Sequence, residues 1–213
     1  MIGLIAKKID MSPLVLENGD VVGVTWLSVE PNHIAQVKTS EKDGYTAIQL
    51  GTGEAKKYSK ALQGHLKNLD AKILKEILVD DVAGYKLGDQ LDATVFKIGD
   101  RVMVTGVSKG KGFSGTIKRH HFKSGPGGHG HDHHRQPGSI GAMGIARVLP
   151  GHRMAGHQGA DTVTTKNLRI VLVDPTSQRL AIEGAVPGGR NSFVLLRKSL
   201  FDSSPSCIRP LSI

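Results

Sequence analysis

Short apolar runs separated by turn residues make up most of the chain. The first, Gly3–Ile9, is followed by Val21–Val29 (VVGVTWLSV), rich in β-branched residues and preceded by a turn signal at Gly19. Ile34–Thr39 and Tyr45–Leu50 flank the turn-like string Glu41-Lys42-Asp43-Gly44. Thr94–Phe96 and Arg101–Val107 flank a turn at Gly99-Asp100. Leu168–Val173, Leu180–Glu183 and Phe193–Leu196 follow later, with turns at Asp174-Pro175 and Pro187-Gly188-Gly189. Each run is expected to be a strand. Many short strands with a turn every ~8–12 residues indicate a barrel or a sandwich. One stretch has helical spacing instead: Ser59 caps a turn carrying Ala61, Leu62, His65, Leu66 and Leu69 at i, i+3, i+4. Ala71–Val79 fits a helix or a strand. Trp26 and Phe96 fall in strand runs and are expected in the core.

Between Thr105 and Ala160 this pattern stops. Eight basic residues (Lys109, Lys111, Lys118, Arg119, Lys123, Arg135, Arg147 and Arg153) face one acid, Asp132, a net +7 of the chain's +9. The same segment holds eight of the ten His and fourteen of the 27 Gly, with few large apolar residues. Such a stretch cannot bury enough surface to offset the entropy of ordering it, so it is expected to be disordered or to be ordered by a partner. The partner should be strongly anionic, and nucleic acid fits best. The alternative is a solvated basic loop, but ordinary surface loops are shorter and mix their charges.

The expected layout is mainly β: a barrel in 1–107, with a small α/β insertion at about 52–92. A long basic, glycine-rich excursion at 108–160 follows, then barrel completion at 161–198 and a tail, Ser199–Ile213, expected to be mobile. No apolar run approaches the ~18 residues of a membrane span. One cysteine, Cys207, cannot pair within the chain, which points to a reducing compartment. The start, MIGLIAKKIDM, has neither a signal-peptide hydrophobic region nor a transit-peptide pattern. A cytosolic protein is expected.

Motifs for chemistry are scarce. Gly110-Lys-Gly112-Phe-Ser-Gly115 matches G-x-G-x-x-G, with Asp132 twenty residues past Gly112. A dinucleotide-binding unit needs a helix from the third glycine and a strand ending at the acid. Ser124-Gly-Pro-Gly-Gly-His-Gly fills that interval and breaks both. The glycines instead let backbone approach phosphates closely, beside Lys109 and Lys111. His129-Gly-His131-Asp-His133-His134 suggests a metal, yet structural zinc sites use two fixed ligand pairs, often with Cys, on a rigid scaffold. These His also suit RNA as donors and stacking planes. No G-x-S-x-G elbow and no H-E-x-x-H helix occurs. No enzyme activity, cofactor, metal or small-molecule substrate is expected. Three classes remain open: an RNA scaffold, a His-tract metal carrier, and a free-standing RNA chaperone or enzyme.

Longer strings narrow this. They are Val104-Thr-Gly-Val-Ser-Lys-Gly-Lys-Gly-Phe-Ser-Gly-Thr-Ile-Lys-Arg-His-His-Phe122, His134-Arg-Gln-Pro-Gly-Ser-Ile-Gly141 and Gly151-His-Arg-Met-Ala-Gly-His-Gln-Gly159. Val163-Thr-Thr-Lys-Asn-Leu168 and Gly184-Ala-Val-Pro-Gly188 follow, and Gly3-Leu-Ile-Ala-Lys-Lys-Ile-Asp-Met11 and Glu41-Lys-Asp-Gly-Tyr45 precede. In family order from Met1 to Lys198, the chain resembles the large-subunit ribosomal protein L-three family in its bacterial form. The resemblance implies a six-stranded barrel like that of translation factors and an extension reaching through rRNA toward the peptidyl-transferase centre. It also implies a part in early subunit assembly, with large-subunit rRNA and neighbouring ribosomal proteins as partners. The location implied is the cytoplasmic ribosome or, with a presequence removed, an organellar one.

The resemblance assigns RNA binding to Lys109, Lys111, Lys118, Arg119 and Phe122 on the ingoing arm, and His120, His121 and Lys123 beside them are expected to bind RNA too. Arg135, Gly138 and Ser139 match the segment leading to the tip and Arg153, Met154 and Gly156 the return strand, while Arg147 and Lys166 are further RNA-binding expectations. The tip near the peptidyl-transferase centre would be Gly141, Ala142, Met143 and Gly144. Many bacterial relatives carry a methylatable Gln where this chain has Ala142. The His129–His134 stretch is richer in His than the family pattern.

Overall fold

A computed structural model describes residues 3–67 and 69–199. The tail beyond Ser199, with Cys207, lies outside the described residues. Two compact units divide the chain: one is built from the chain up to Val107 and again from Thr162, the other from Ser108–Asp161.

The first unit is mainly β. Its strands are β1 (Gly3–Val15), β2 (Val21–Ser28), β3 (Asn32–Lys38), β4 (Ala47–Thr52), β5 (Ile73–Leu78), β6 (Gln90–Leu91) and β7 (Arg101–Val107). Two helices, α1 (Ser40–Asp43) and α2 (Lys60–Leu66), lie among them. The second unit contributes β8 (Phe113–Ser114), α3 (Thr116–His120) and β9 (Gly156–His157). The chain then returns with β10 (Thr162–Asp174), β11 (Arg179–Glu183) and β12 (Phe193–Lys198).

Six strands pair antiparallel in the order β1-β12-β7-β10-β11-β2, and β2 pairs back with β1, which closes the sheet into a barrel. Strand alternation explains the core. On β1, Leu4 and Ala6 face the interior with Leu27, Val104, Ile182 and Leu196. Ile5, between them, faces outward and packs with Ile34, Ile48, Leu50 and Ile77 of a second sheet. That sheet has the order β5-β4-β3-β6. Both faces of β1 are thus covered, which is why Leu4-Ile5-Ala6 reads as an unbroken apolar run rather than an alternating one.

Three expectations need correction. The insertion does not start near residue 52: β3 and β4 leave the barrel already at Asn32 and form the second sheet. Their apolar faces look the same whether they meet a barrel interior or a barrel exterior. Thr94–Phe96 is not a strand; Ala93–Val95 is a single 3-10 turn. Its spacing buries Ala93 and Phe96 together, which a strand's alternation would not do. Helix α2 ends at Lys67, in the left-handed region, so Leu69 falls outside it. Ser59 does cap α2, its hydroxyl accepting from the Leu62 N–H at 3.3 Å. Ala71–Val79 resolves as strand β5. Phe96 is buried, while Trp26 is half-buried and donates its indole N–H to Ser12 Oγ at 2.8 Å.

One side chain joins the two sheets. Asn32 is fully buried. Its Oδ1 accepts from the Ile5 N–H at 2.9 Å, and its Nδ2 donates to the Ile5 carbonyl at 3.0 Å and the Glu30 carbonyl at 2.8 Å. The amide therefore acts as a strand partner to β1 where β3 begins. Asn32→Ala leaves these backbone groups unpaired, at about 1–3 kcal/mol for each buried one. A fall in the urea midpoint at unchanged slope is the expected reading. Asn32→Asp should also destabilise, because a carboxylate faces two carbonyls without a donor.

Candidate nucleic-acid interface

Among the described residues of Ser108–Asp161, no apolar side chain is buried; Ser114 and Thr116, each 4% exposed, are the buried ones. The expectation that this stretch is disordered or ordered only by a partner is corrected: it forms a compact unit shaped by its own hydrogen bonds and backbone contacts, which need no apolar core. Its two arms zip together. The Ser108 N–H donates to the Asp161 carbonyl at 2.9 Å, and the Asp161 N–H donates to Ser108 Oγ at 3.2 Å. The Lys111 N–H donates to the Gln158 carbonyl at 2.8 Å, and the Gln158 N–H to the Gly112 carbonyl at 2.9 Å. Phe113 then pairs with His157 and Ser114 with Gly156. Between these bonds Gly159 crosses Lys109 at φ +80°, and a Cβ there would collide with the Lys109 carbonyl oxygen.

Helix α3 continues the clamp. Arg119 Nη1 donates to the Met154 carbonyl at 2.9 Å, and His120 Nε2 lies 3.1 Å from the same oxygen. Gln158 Nε2 donates to the Lys118 carbonyl at 3.4 Å. His121 ends the helix in the left-handed region, its N–H on the Ile117 carbonyl. Phe122 is half-buried, with its ring 6.1 Å from that of His120.

The remaining residues singled out by sequence are exposed. Lys109, Lys111, Lys118, Lys123, Arg135, Arg147 and Arg153 all reach solvent, and Met154 is partly covered. Gly138 and Gly144 take positive φ, Ser139 Oγ donates to the Gly141 carbonyl at 2.9 Å, and Met143 is fully exposed beside Ala142. Lys166 belongs to the first unit, exposed on β10. Sequence reasoning missed Gln158 and Thr116. Gln158 carries the bonds between the arms, and its Oε1, like Ser114 Oγ, is buried without a partner among the described residues. Nothing in residue type or spacing marks them.

The His tract is compact but not a cage. The His131 ring lies 5.9 Å from that of His133 and 6.3 Å from that of His134. His134 Nδ1 donates to the Pro126 carbonyl at 2.9 Å, and His133 Nδ1 lies 2.6 Å from Gln136 Oε1. His131 Nδ1 accepts the His133 N–H at 3.2 Å. Among the described residues no group of three or more His, Cys, Asp or Glu is placed to hold a metal ion. No described helix is long and apolar enough to cross a membrane.

Perturbed ionisation does not mark a catalytic centre either. The Lys38 ammonium, 2.7 Å from Glu76, holds that carboxyl below its ordinary range, with Tyr45 donating to it at 3.0 Å. This is an ion pair on the open face of the second sheet, with no nucleophile in the network.

A barrel unit joined to a coreless basic unit suits a structural component of a larger assembly. Comparison with known proteins gives the class. A family model described as Ribosomal protein L3 matches residues 81–179. The chain is similar to the large ribosomal subunit protein uL3 of Heliobacterium modesticaldum, 45% identical over 93% of this chain and 97% of the relative. It is 42% identical to that of Carboxydothermus hydrogenoformans, over 93% and 97%. For that of Acidithiobacillus ferrooxidans the identity is 44%, over 94% and 99%. The class is that of ribosomal proteins, structural rather than enzymatic. Within it, the chain belongs to the ribosomal protein L3 family.

The Gly159 crossing is testable alone. Gly159→Ala places a side chain at a left-handed φ, which costs ~1–2 kcal/mol before the collision is counted. Hydrogen exchange at the Lys111 and Gln158 amides should quicken by at least about 5–30-fold. Gly112→Ala, at φ +65° in open space, should have the smaller effect.

Proposed function

We propose that the chain is a structural constituent of the large ribosomal subunit that binds large-subunit rRNA through 108–160. On this reading 1–107 and 161–198 form a barrel of the translation-factor kind, which seats the protein against neighbouring ribosomal proteins. The extension passes between RNA helices and carries Gly141–Gly144 toward the peptidyl-transferase centre. The protein acts early in subunit assembly, on the cytoplasmic ribosome.

The observation that carries this reading is the pairing of a net +6 with the absence of any buried apolar side chain among the described residues of one unit, Ser108–Asp161. Phosphates supply the countercharge, and glycines let RNA backbone approach where a Cβ would stand off. The exposed Lys and Arg position the RNA, while selectivity comes from RNA shape and single-stranded elements. The relatives' name, large ribosomal subunit protein, supports the same assembly. No step of this role needs a metal, a cofactor or a small-molecule substrate.

In a sucrose gradient in magnesium, the protein should travel at about one copy per large subunit and shift when EDTA dissociates the particle. An Arg135→Glu, Arg153→Glu double variant should keep its circular dichroism and incorporate poorly. Normal incorporation at physiological salt would sink the RNA role of these two residues. With the isolated rRNA, log K against log[salt] should fall by about 0.7–0.9 per phosphate contact, a slope of roughly −4 to −7 for six to eight contacts. A slope near zero contradicts phosphate binding.

A further inference from the structure

The surface of the second unit carries an open pocket of about 350 Å³, lined by Gly115, Thr116, Arg135, Pro137, Ile140 and Met154 among others. Its volume is at the lower end of the ~300–1,000 Å³ of small-ligand sites. Most of the lining is apolar. Ile140 and Met154 stay 42% and 37% exposed there, in a unit that otherwise gathers no apolar side chains. Two polar groups interrupt it. Thr116, 4% exposed, is one of them. Arg135, exposed to solvent, is the other.

The occupant must satisfy three conditions. It offers apolar faces to Pro137, Ile140 and Met154. It offers polar atoms at its rim to a hydroxyl and a guanidinium. It also arrives attached to negative charge, since the unit around the pocket carries a net +6. A nucleobase on its phosphate backbone meets all three, because guanidinium planes stack on bases and hydroxyls read their edges. We infer that this cavity takes one unstacked nucleobase from a single-stranded element of the bound RNA, with Arg135 as the stacking or edge-reading cation and Thr116 as the edge hydroxyl. The inference rests on the RNA-binding reading above and adds to it a site for a single base. A base inside a duplex cannot enter without leaving its stack, so the cavity selects loops, bulges and ends.

Gly115 gives access to a test. Its backbone, at φ −69° and ψ 165°, is extended and open to any residue, and an added Cβ meets no atom within 4 Å. Gly115→Leu therefore takes up cavity space without straining the chain or changing its charge. Ile140→Trp fills the same cavity from a different, exposed position, should the first variant disturb α3.

The probe is full-length large-subunit rRNA, bound to the full chain and treated with dimethyl sulfate. The unaltered protein should protect the base edge of a single-stranded nucleotide. Both variants should leave that nucleotide reactive and bind on the order of tenfold more weakly. Their salt slope should match that of the unaltered chain, because the phosphate contacts remain. If the unaltered chain binds with a steep salt slope but both variants bind equally well and no nucleotide changes reactivity, the base site is wrong and the RNA reading stands. If the unaltered chain shows no salt-dependent binding, the RNA reading itself has failed.

Discussion

A unit with no hydrophobic core has to take its shape from hydrogen bonds and backbone packing, and this constraint governs 108–161. Apolar burial is non-directional and tolerates small shifts. Hydrogen bonds across two arms are not tolerant in that way, since each fixes a distance and an angle. The unit accordingly places its order where the arms run side by side, from Ser108 to Gly156, and anchors the far end of that stretch with two side chains on one carbonyl, that of Met154. A surface free of buried apolar groups is also free to present its cations. Arg119 is the exception, because its guanidinium is spent partly on the protein's own backbone.

The first unit solves the opposite problem. Its apolar residues are enough to fill a barrel and to cover part of the barrel's outside. Strand β1 sits at the centre of this arrangement, with alternate residues in two cores. Asn32 fixes where the second sheet starts, by supplying the donor and acceptor that a neighbouring strand would otherwise supply. The Lys38–Glu76 pair lies on the far side of the same sheet and stays accessible, so its contribution is modest.

Strand character was largely legible from β-branched runs and turn residues. Arg101–Val107 has the bounds its sequence indicates, because alternation and a Gly99-Asp100 turn agree there. Sheet membership was not legible. Ile34 and Leu50 carry the same signal whether they face a barrel interior or a barrel exterior. The Ala93–Val95 turn was missed because three residues cannot distinguish periods of two and three. In the basic unit, charge could be counted without geometry. The roles of Gln158, Thr116 and Gly115 could not, because they depend on contacts between residues some forty positions apart that follow no repeat.

The pairing of Val107 with Thr162 has one more consequence. The chain departs from β7 and comes back into β10 at adjacent positions on neighbouring strands, so everything between them is topologically a hairpin loop. Loop closure grows only slowly more costly with length. Insertions or deletions inside the loop leave the register of the β7–β10 ladder alone. The reach of the basic arm can therefore change over generations, or at a designer's hand, while the barrel that carries it stays the same.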